Sequence, residues 1–366
     1  MENFVTIQQI VSPERIETEL LKIWEDLSKE NKMRASLFNL VVFNRLSTRT
    51  DYIRNIVQKV VEKFPCRTLF ISQDPATEQS YLKTAVSVLI PKVGESSIAC
   101  DLIDIGVAGT GVEKVPFLIL PHLLPDLPVY VLWAEDPSVP HPLFAPLTRL
   151  ATRVIFDSES ASSLLNFAKT LLFFKEQTNI DIADLNWART QGWRDLIKAT
   201  FDAPHRLKDL FDVRSIKFQY NARESEFFCH LKIQAMYLLA WLMSRLEWTM
   251  VKAEKDLRFD LHSKGQKIEA AIESAGWEKL GSGTVIAIEM TSSQGHNFSA
   301  ARIKERYHYV KIHLSSPNSC ELPYEFVLGQ TATGQSLVNE ICMKGTSDHY
   351  LDMLKELIIL DKDKLC

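Results

Sequence analysis

Proline dictates the backbone of residues 116–157, PFLILPHLLPDLPVYVLWAEDPSVPHPLFAPLTRLATRVIFD, which hold eight of the chain's fifteen prolines. Each proline fixes φ and removes a donor, so the stretch is stiff and a poor continuous helix. Two apolar runs lie inside it, Val129-Tyr130-Val131-Leu132-Trp133 and Arg153-Val154-Ile155-Phe156-Asp157. Both read as buried strands of an open α/β sheet. Their ends would present Ala134-Glu135-Asp136 and Asp157-Ser158 as loop residues. A backbone fixed this heavily beside buried strands shapes a surface for a ligand or another protein.

The rest of the chain alternates helix and strand patterns. Ile16, Leu20, Ile23, Trp24 and Leu27 recur at helical spacing, predicting a helix over 13–31. Strands are expected over 37–43 and 68–72, with a helix between them from Ser47-Thr50. Residues 83–90 and 98–104 read as an antiparallel hairpin with a turn at 91–95. Helices are expected within 113–124 and over 160–175. The composition changes near 178, and four of the seven tryptophans (187, 193, 241 and 248) follow within about 70 residues. Helices are expected over 184–204 and 224–250, with strands at 213–220, 284–290, 307–314 and 324–328 and a closing helix through Leu351, Leu354 and Ile358. The expected fold is an α/β N-terminal domain, a mixed layered sheet over 1–178, followed by an α+β domain over 179–366.

Composition limits the function. A net charge of −4 gives no basic footprint, so nucleic acid is not the expected partner. The apolar helix near 235–243 is too short to span a bilayer, and the first residues carry no secretory signal. The six cysteines (66, 100, 229, 320, 342 and 366) show no CxxC spacing and read as free thiols of a reducing cytoplasm. No HExxH, GxSxG or clustered metal-ligand set occurs, so neither a catalytic residue nor a cofactor or metal site is assigned. Gly106-Val107-Ala108-Gly109-Thr110-Gly111 has the composition of a phosphate loop but the wrong glycine order, and no Lys-Ser/Thr follows. His122 and His141 flank the proline-rich stretch and read as structural or solvated. Asp157-Ser158 reads as a helix cap.

One segment has the composition of an interface hot spot: Trp187, Arg189, Trp193 and Arg194 lie within eight residues. Its alternative is a core helix whose indoles pack and whose arginines pair with Asp184 or Asp195, and composition alone favours that alternative. Trp241 and Trp248, seven apart in an apolar helix, read as core. Asp126 and Trp133 complete the candidate partner-binding set.

Several pieces, in order, are quite specific together. They are Phe64-Pro65-Cys66-Arg67-Thr68, Ile98-Ala99-Cys100-Asp101, Leu118-Ile119-Leu120-Pro121-His122-Leu123-Leu124-Pro125-Asp126-Leu127-Pro128 with Val131-Leu132-Trp133, and Arg153-Val154-Ile155-Phe156-Asp157-Ser158. Asp184-Leu185-Asn186-Trp187-Ala188-Arg189 with Trp193-Arg194 follows, then Ala240-Trp241-Leu242-Met243-Ser244-Arg245-Leu246-Glu247-Trp248. Across about 60–250 the chain resembles the OpcA family, the glucose-6-phosphate dehydrogenase assembly proteins. The resemblance implies a cytoplasmic, non-catalytic partner of glucose-6-phosphate dehydrogenase that promotes its active oligomer in the oxidative pentose phosphate pathway. Some relatives are linked to redox control, but Ala99 and Asp101 stand where relatives often have Cys and Glu, so thiol regulation is not carried over. The competing expectation is a sugar-phosphate- or nucleotide-binding α/β protein or enzyme, motivated by the α/β pattern and the 106–111 loop.

Overall fold

A computed structural model of the chain describes residues 4–77, 79–91, 98–329 and 334–360. The chain forms two compact units, the first from 1–161, 174–185 and 333–345, the second from 162–173, 186–332 and 346–366. A single boundary near 178 falls inside 174–185, which belongs to the first unit. Among the described residues no helix is long and apolar enough to cross a membrane.

The first unit opens with β1 (Phe4–Val11), α1 (Ile16–Lys29) and β2 (Met33–Arg34). β3 (Asn39–Arg45), α2 (Thr50–Val61), β4 (Arg67–Gln73), β5 (Tyr81–Pro91) and β6 (Ile98–Ala108) follow. The proline-rich stretch supplies α3 (Val115–Ile119), β7 (Val129–Trp133), α4 (Phe144–Thr148) and β8 (Arg153–Phe156). α5 (Leu164–Gln177), whose residues 164–173 belong to the second unit, leads into β9 (Asp181–Asp184) of the first. Among the described residues nine strands make one sheet in the order β1-β5-β6-β4-β3-β7-β8-β9, with β2 also on β6.

The six strands β6-β4-β3-β7-β8-β9 are parallel throughout. β5 and β1 add antiparallel neighbours at one edge, so the sheet is mixed. β3, β4 and β8 are buried along nearly their whole length, as near-continuous apolar runs in parallel strands are. Leu40, Val41, Val42 and Phe43 of β3 are all buried. Ile53, Ile56, Val57 and Val60 of α2 pack into this core together with Leu337, Val338 and Ile341 of a later helix, 335–342.

The second unit holds α6 (Leu185–Arg189), α7 (Gln191–Thr200), α8 (Pro204–Phe211), β10 (Val213–Asn221) and α9 (Ile233–Leu246). β11 (Thr249–Glu254), β12 (Arg258–Ser263), β13 (Gln266–Ala275), β14 (Val285–Ser292), β15 (Asn297–Ile303), β16 (Arg306–Ser316), β17 (Ser319–Cys320) and β18 (Tyr324–Val327) complete its sheet. The order is β11-β12-β13-β10-β14-β15-β16-β17, with β18 on β16. α10 (Gln335–Cys342) returns to the first unit, and α11 (Asp348–Leu360) packs on α9 in the second.

Several expectations are corrected. The helix expected over 184–204 is α6 and α7 broken at Thr190, whose hydroxyl donates to the Trp187 carbonyl at 2.9 Å. Pro204 starts α8 instead of ending a helix, since a first-turn proline lacks only an N–H that would go unpaired. The helix expected over 224–250 is confined to α9 and stops at Glu247, which is left-handed at φ 56°. β1, β9, β12, β13, β15 and α10 were not expected. The turn expected at 91–95 lies, beyond Pro91, outside the described residues.

Candidate functional site

The strand order of the first unit reverses between β3 and β7. Successive crossovers diverge at such a point, and the carboxyl ends of the two strands frame a crevice where open α/β sheets take their ligands. The residues there are Asn44 and Arg45 at the end of β3, Leu46 to Arg49 after it, Thr50 opening α2, and Ala134 to Asp136 after β7, as the apolar run Val129–Trp133 predicts.

The turn between β3 and α2 contains no glycine, and the amides of residues 45, 46, 47, 49 and 50 are already engaged. Arg45 N–H donates to Glu135 Oε1 at 2.7 Å. Leu46 N–H donates to the Gln73 carbonyl at 2.7 Å, and Thr50 N–H to the Ser47 carbonyl at 3.1 Å. Ser47 N–H donates to Thr50 Oγ1 at 3.1 Å and Arg49 N–H to Ser47 Oγ at 3.2 Å. Asn44 Nδ2 reaches Thr50 Oγ1 at 2.8 Å, pinning the first turn of α2 to the strand.

The neighbouring strand ends add carboxylates. Asp157, after β8, is fully buried, accepts the Glu159 amide and pairs with Arg49 at 2.5 Å. Asp184, ending β9, accepts the Ser158 amide at 3.1 Å and its hydroxyl at 3.0 Å. Thus Asp157 caps the short turn 158–160 and not the helix expected from Ser160, which begins at Leu164, and it also neutralises an arginine. Burial raises the Glu135 carboxyl, opposed by the Arg45 amide and the charges of Arg45 and Arg49.

Trp133 forms the floor, stacked on Phe43 with centroids 4.4 Å apart and edge-on to His141 and Phe144. His141 Nδ1 accepts the Leu143 amide at 3.2 Å, so Nε2 carries the proton donated to Gln73 Oε1 at 2.7 Å. Burial, with Arg45 nearby, depresses this imidazole to about 4. It is therefore a neutral structural donor.

The glycine-rich run 106–111 is a packing device. Gly106 lies within β6, Gly109 has φ 54°, and a Cβ on Gly111 would overlap the Tyr81 carbonyl oxygen.

Of the candidate partner-binding residues, Trp133 and Trp193 are 1% exposed and Trp187 is 7% exposed. Their indoles are interior, which corrects their reading as surface anchors. The parts nearer solvent are Asp126, Arg189 and Arg194. Asp126 is exposed in a left-handed turn at φ 63°, whose base is held by Asn39 bonded to Leu124 in both directions. Arg194 lies over the Trp187 ring at 3.4 Å and donates to the Trp187 carbonyl. Arg189 lies over Phe228 and donates to Asn186 Oδ1 at 2.8 Å.

A further cluster was not anticipated, although three sequence pieces singled out above build it. Asp101, fully buried, accepts Trp24 Nε1 at 2.7 Å, Arg34 Nη2 at 2.6 Å and Arg67 Nε at 2.9 Å. Arg67 also meets Glu17 and the His122 carbonyl, each at 2.9 Å, and His122 Nδ1 meets Glu17 at 2.8 Å. The cluster sits at the amino ends of β4 and β6, away from the crevice. Each charge has several partners, so it fixes which segments meet. Cys66 and Cys100 lie beside it. Burial pushes the first thiol up and the second to about 11, so both stay protonated and unreactive.

The chain matches two family models, the glucose-6-phosphate dehydrogenase subunit N-terminal domain over residues 57–171 and the C-terminal domain over 180–350. The second match runs well past residue 250, where the recognisable sequence pieces stop. Among curated proteins, the Nostoc punctiforme protein with the OxPP cycle name OpcA is 28% identical over 255 residues, 65% of this chain and 52% of that protein. The namesake from Synechococcus elongatus is 30% identical over 245 residues, 62% of this chain and 52% of that protein. The chain spans about half the length of the curated relatives it matches. Among solved structures, yhhX, an oxidoreductase by name, aligns with a TM-score of 0.48 at 10% identity, covering 88% of this chain and 95% of that one.

Proposed function

This chain belongs to the OpcA family of glucose-6-phosphate dehydrogenase assembly proteins, and we propose that it acts in the cytoplasm by docking on that dehydrogenase and favouring its active oligomer, with no bond chemistry of its own. The observation that carries this reading is the pair of family matches, which follow one another over most of the chain. An activator of this kind works by binding one state of its target better than another, and it shifts the equilibrium only by that difference. A surface of roughly 800 Å² per partner is enough for a stable complex.

Asp126, Arg189 and Arg194 are the proposed contacts on this side, with Trp187 supporting Arg194 from below. The crevice fits the same reading. Its imidazole is held neutral, and its carboxylates are committed to amides and to Arg49. To test the proposal, the purified chain is mixed with glucose-6-phosphate dehydrogenase from the same cell, and complex mass and kcat/KM are measured. A complex heavier than either protein, together with a raised kcat/KM, is expected. Unchanged mass and rate would remove the reading.

A further inference from the structure

The parallel strands of the first unit, taken along the sheet as β6-β4-β3-β7-β8-β9, have the order 3-2-1-4-5-6 when numbered among themselves. That order characterises folds that hold a dinucleotide across the switch point, with its pyrophosphate on the glycine-rich turn after the first strand. Here that turn is Asn44-Arg45-Leu46-Ser47-Thr48-Arg49-Thr50. Two features do not fit the group. No glycine lets the backbone approach a phosphate closely. The amides of residues 45, 46, 47, 49 and 50 all donate to protein oxygens.

The oxygen on Arg45 N–H is a carboxylate, Glu135 Oε1, brought there by the end of β7. A second carboxylate, Asp157 from the end of β8, takes the Arg49 guanidinium. We propose that this switch point is closed to dinucleotides and that the Glu135 carboxylate permanently occupies the position of a phosphate oxygen, making the crevice a structural joint between β3, β7 and β8. Burial works against the charged carboxylate. A carboxylate withdrawn from water is retained beside Arg45 and Arg49, whose charges offset part of its desolvation.

A switch point closed in this way leaves no place for the nucleotide that the α/β pattern suggests, whichever protein the chain docks on. It is tested with the full chain in two measurements. NADPH, NADP+ and NAD+ are titrated into the wild-type protein, with the intrinsic fluorescence of its seven tryptophans and heat as two independent signals. No saturable binding tighter than about 1 mM is expected. Saturable binding below that limit, weakened by Ser47→Leu, would overturn the proposal. In the second measurement Glu135→Ala is heated with and without inorganic phosphate. The variant is expected to gain more melting temperature from phosphate than the wild type, whose gain is only the general effect of an excluded salt, because a free anion fills the vacated place. A folded variant that gains no more than the wild type would show that Glu135 is no phosphate surrogate. Should the variant not fold, the wild-type titration decides alone.

Discussion

Single residues in the crevice have opposite responses to pH. Burial, with Arg45 nearby, lowers the His141 imidazole from 6.5 to about 4. In that window the unfolded chain takes up a proton that the folded chain refuses. The stability held by neutral His141 is therefore complete above pH 6.5 and is lost as pH falls toward 4. Glu135 acts in the other sense, because a raised carboxyl takes up its proton more readily in the folded state, so its penalty fades on acidification. His141→Gln keeps an N–H for Gln73 and removes the titration. Urea midpoints between pH 6.5 and 4 are expected to fall less for this variant than for the wild type. Equal falls would mean that His141 contributes no part of the acid sensitivity. The side chain's presence could be read from the sequence, but its neutrality could not, since that depends on burial in the folded chain and on Arg45, far away in the chain.

At the scale of elements, apolar runs and prolines were sufficient for β3, β4, β7 and β8, which are short, apolar and bounded by turn residues. They failed where the signal was weak or shared. β9 is four residues with an aspartate at each end. β12 and β13 are rich in charge on their outer face, yet Phe259, Leu261, Ile268, Ala270 and Ile272 alternate inward. Their connection is the pair Lys264-Gly265, both at positive φ, which suits a two-residue hairpin although the pair is not Asn-Gly or Asp-Gly. α10 is a short helix whose apolar residues reveal their purpose only against α2. Leu337→Ala should cost about 2–5 kcal/mol in urea unfolding, the usual loss for a buried leucine. A loss below about 1 kcal/mol would show that α10 adds little to this core.

For the whole molecule, the tryptophans divide the work. Trp193 and Trp133 hold cores, while Arg189 and Arg194 lie closer to solvent over aromatic rings. Docking should therefore be sensitive to the arginines and folding to the indoles. Arg189→Ala and Arg194→Ala are each expected to weaken the complex with the dehydrogenase by more than about 1 kcal/mol. Titration calorimetry gives the affinity, and the melting temperature of the free chain shows that the fold survives. Trp193→Ala should instead unfold more easily by about 3–5 kcal/mol. Unchanged affinity in both arginine variants would move the contact surface elsewhere.

The sequence by itself settled the α/β character, the two strands of the proline-rich stretch and the family, because apolar periodicity, proline and ordered motifs act over a few residues at a time. Only the tertiary structure decided the strand order, the burial of the indoles, the meeting of Arg67 with Asp101 and the capture of the Arg45 amide by Glu135. The physical reason is that each of these joins groups many residues apart. A side chain's type states what it can bond to, but only the folded chain determines which partner arrives and whether water is left to compete.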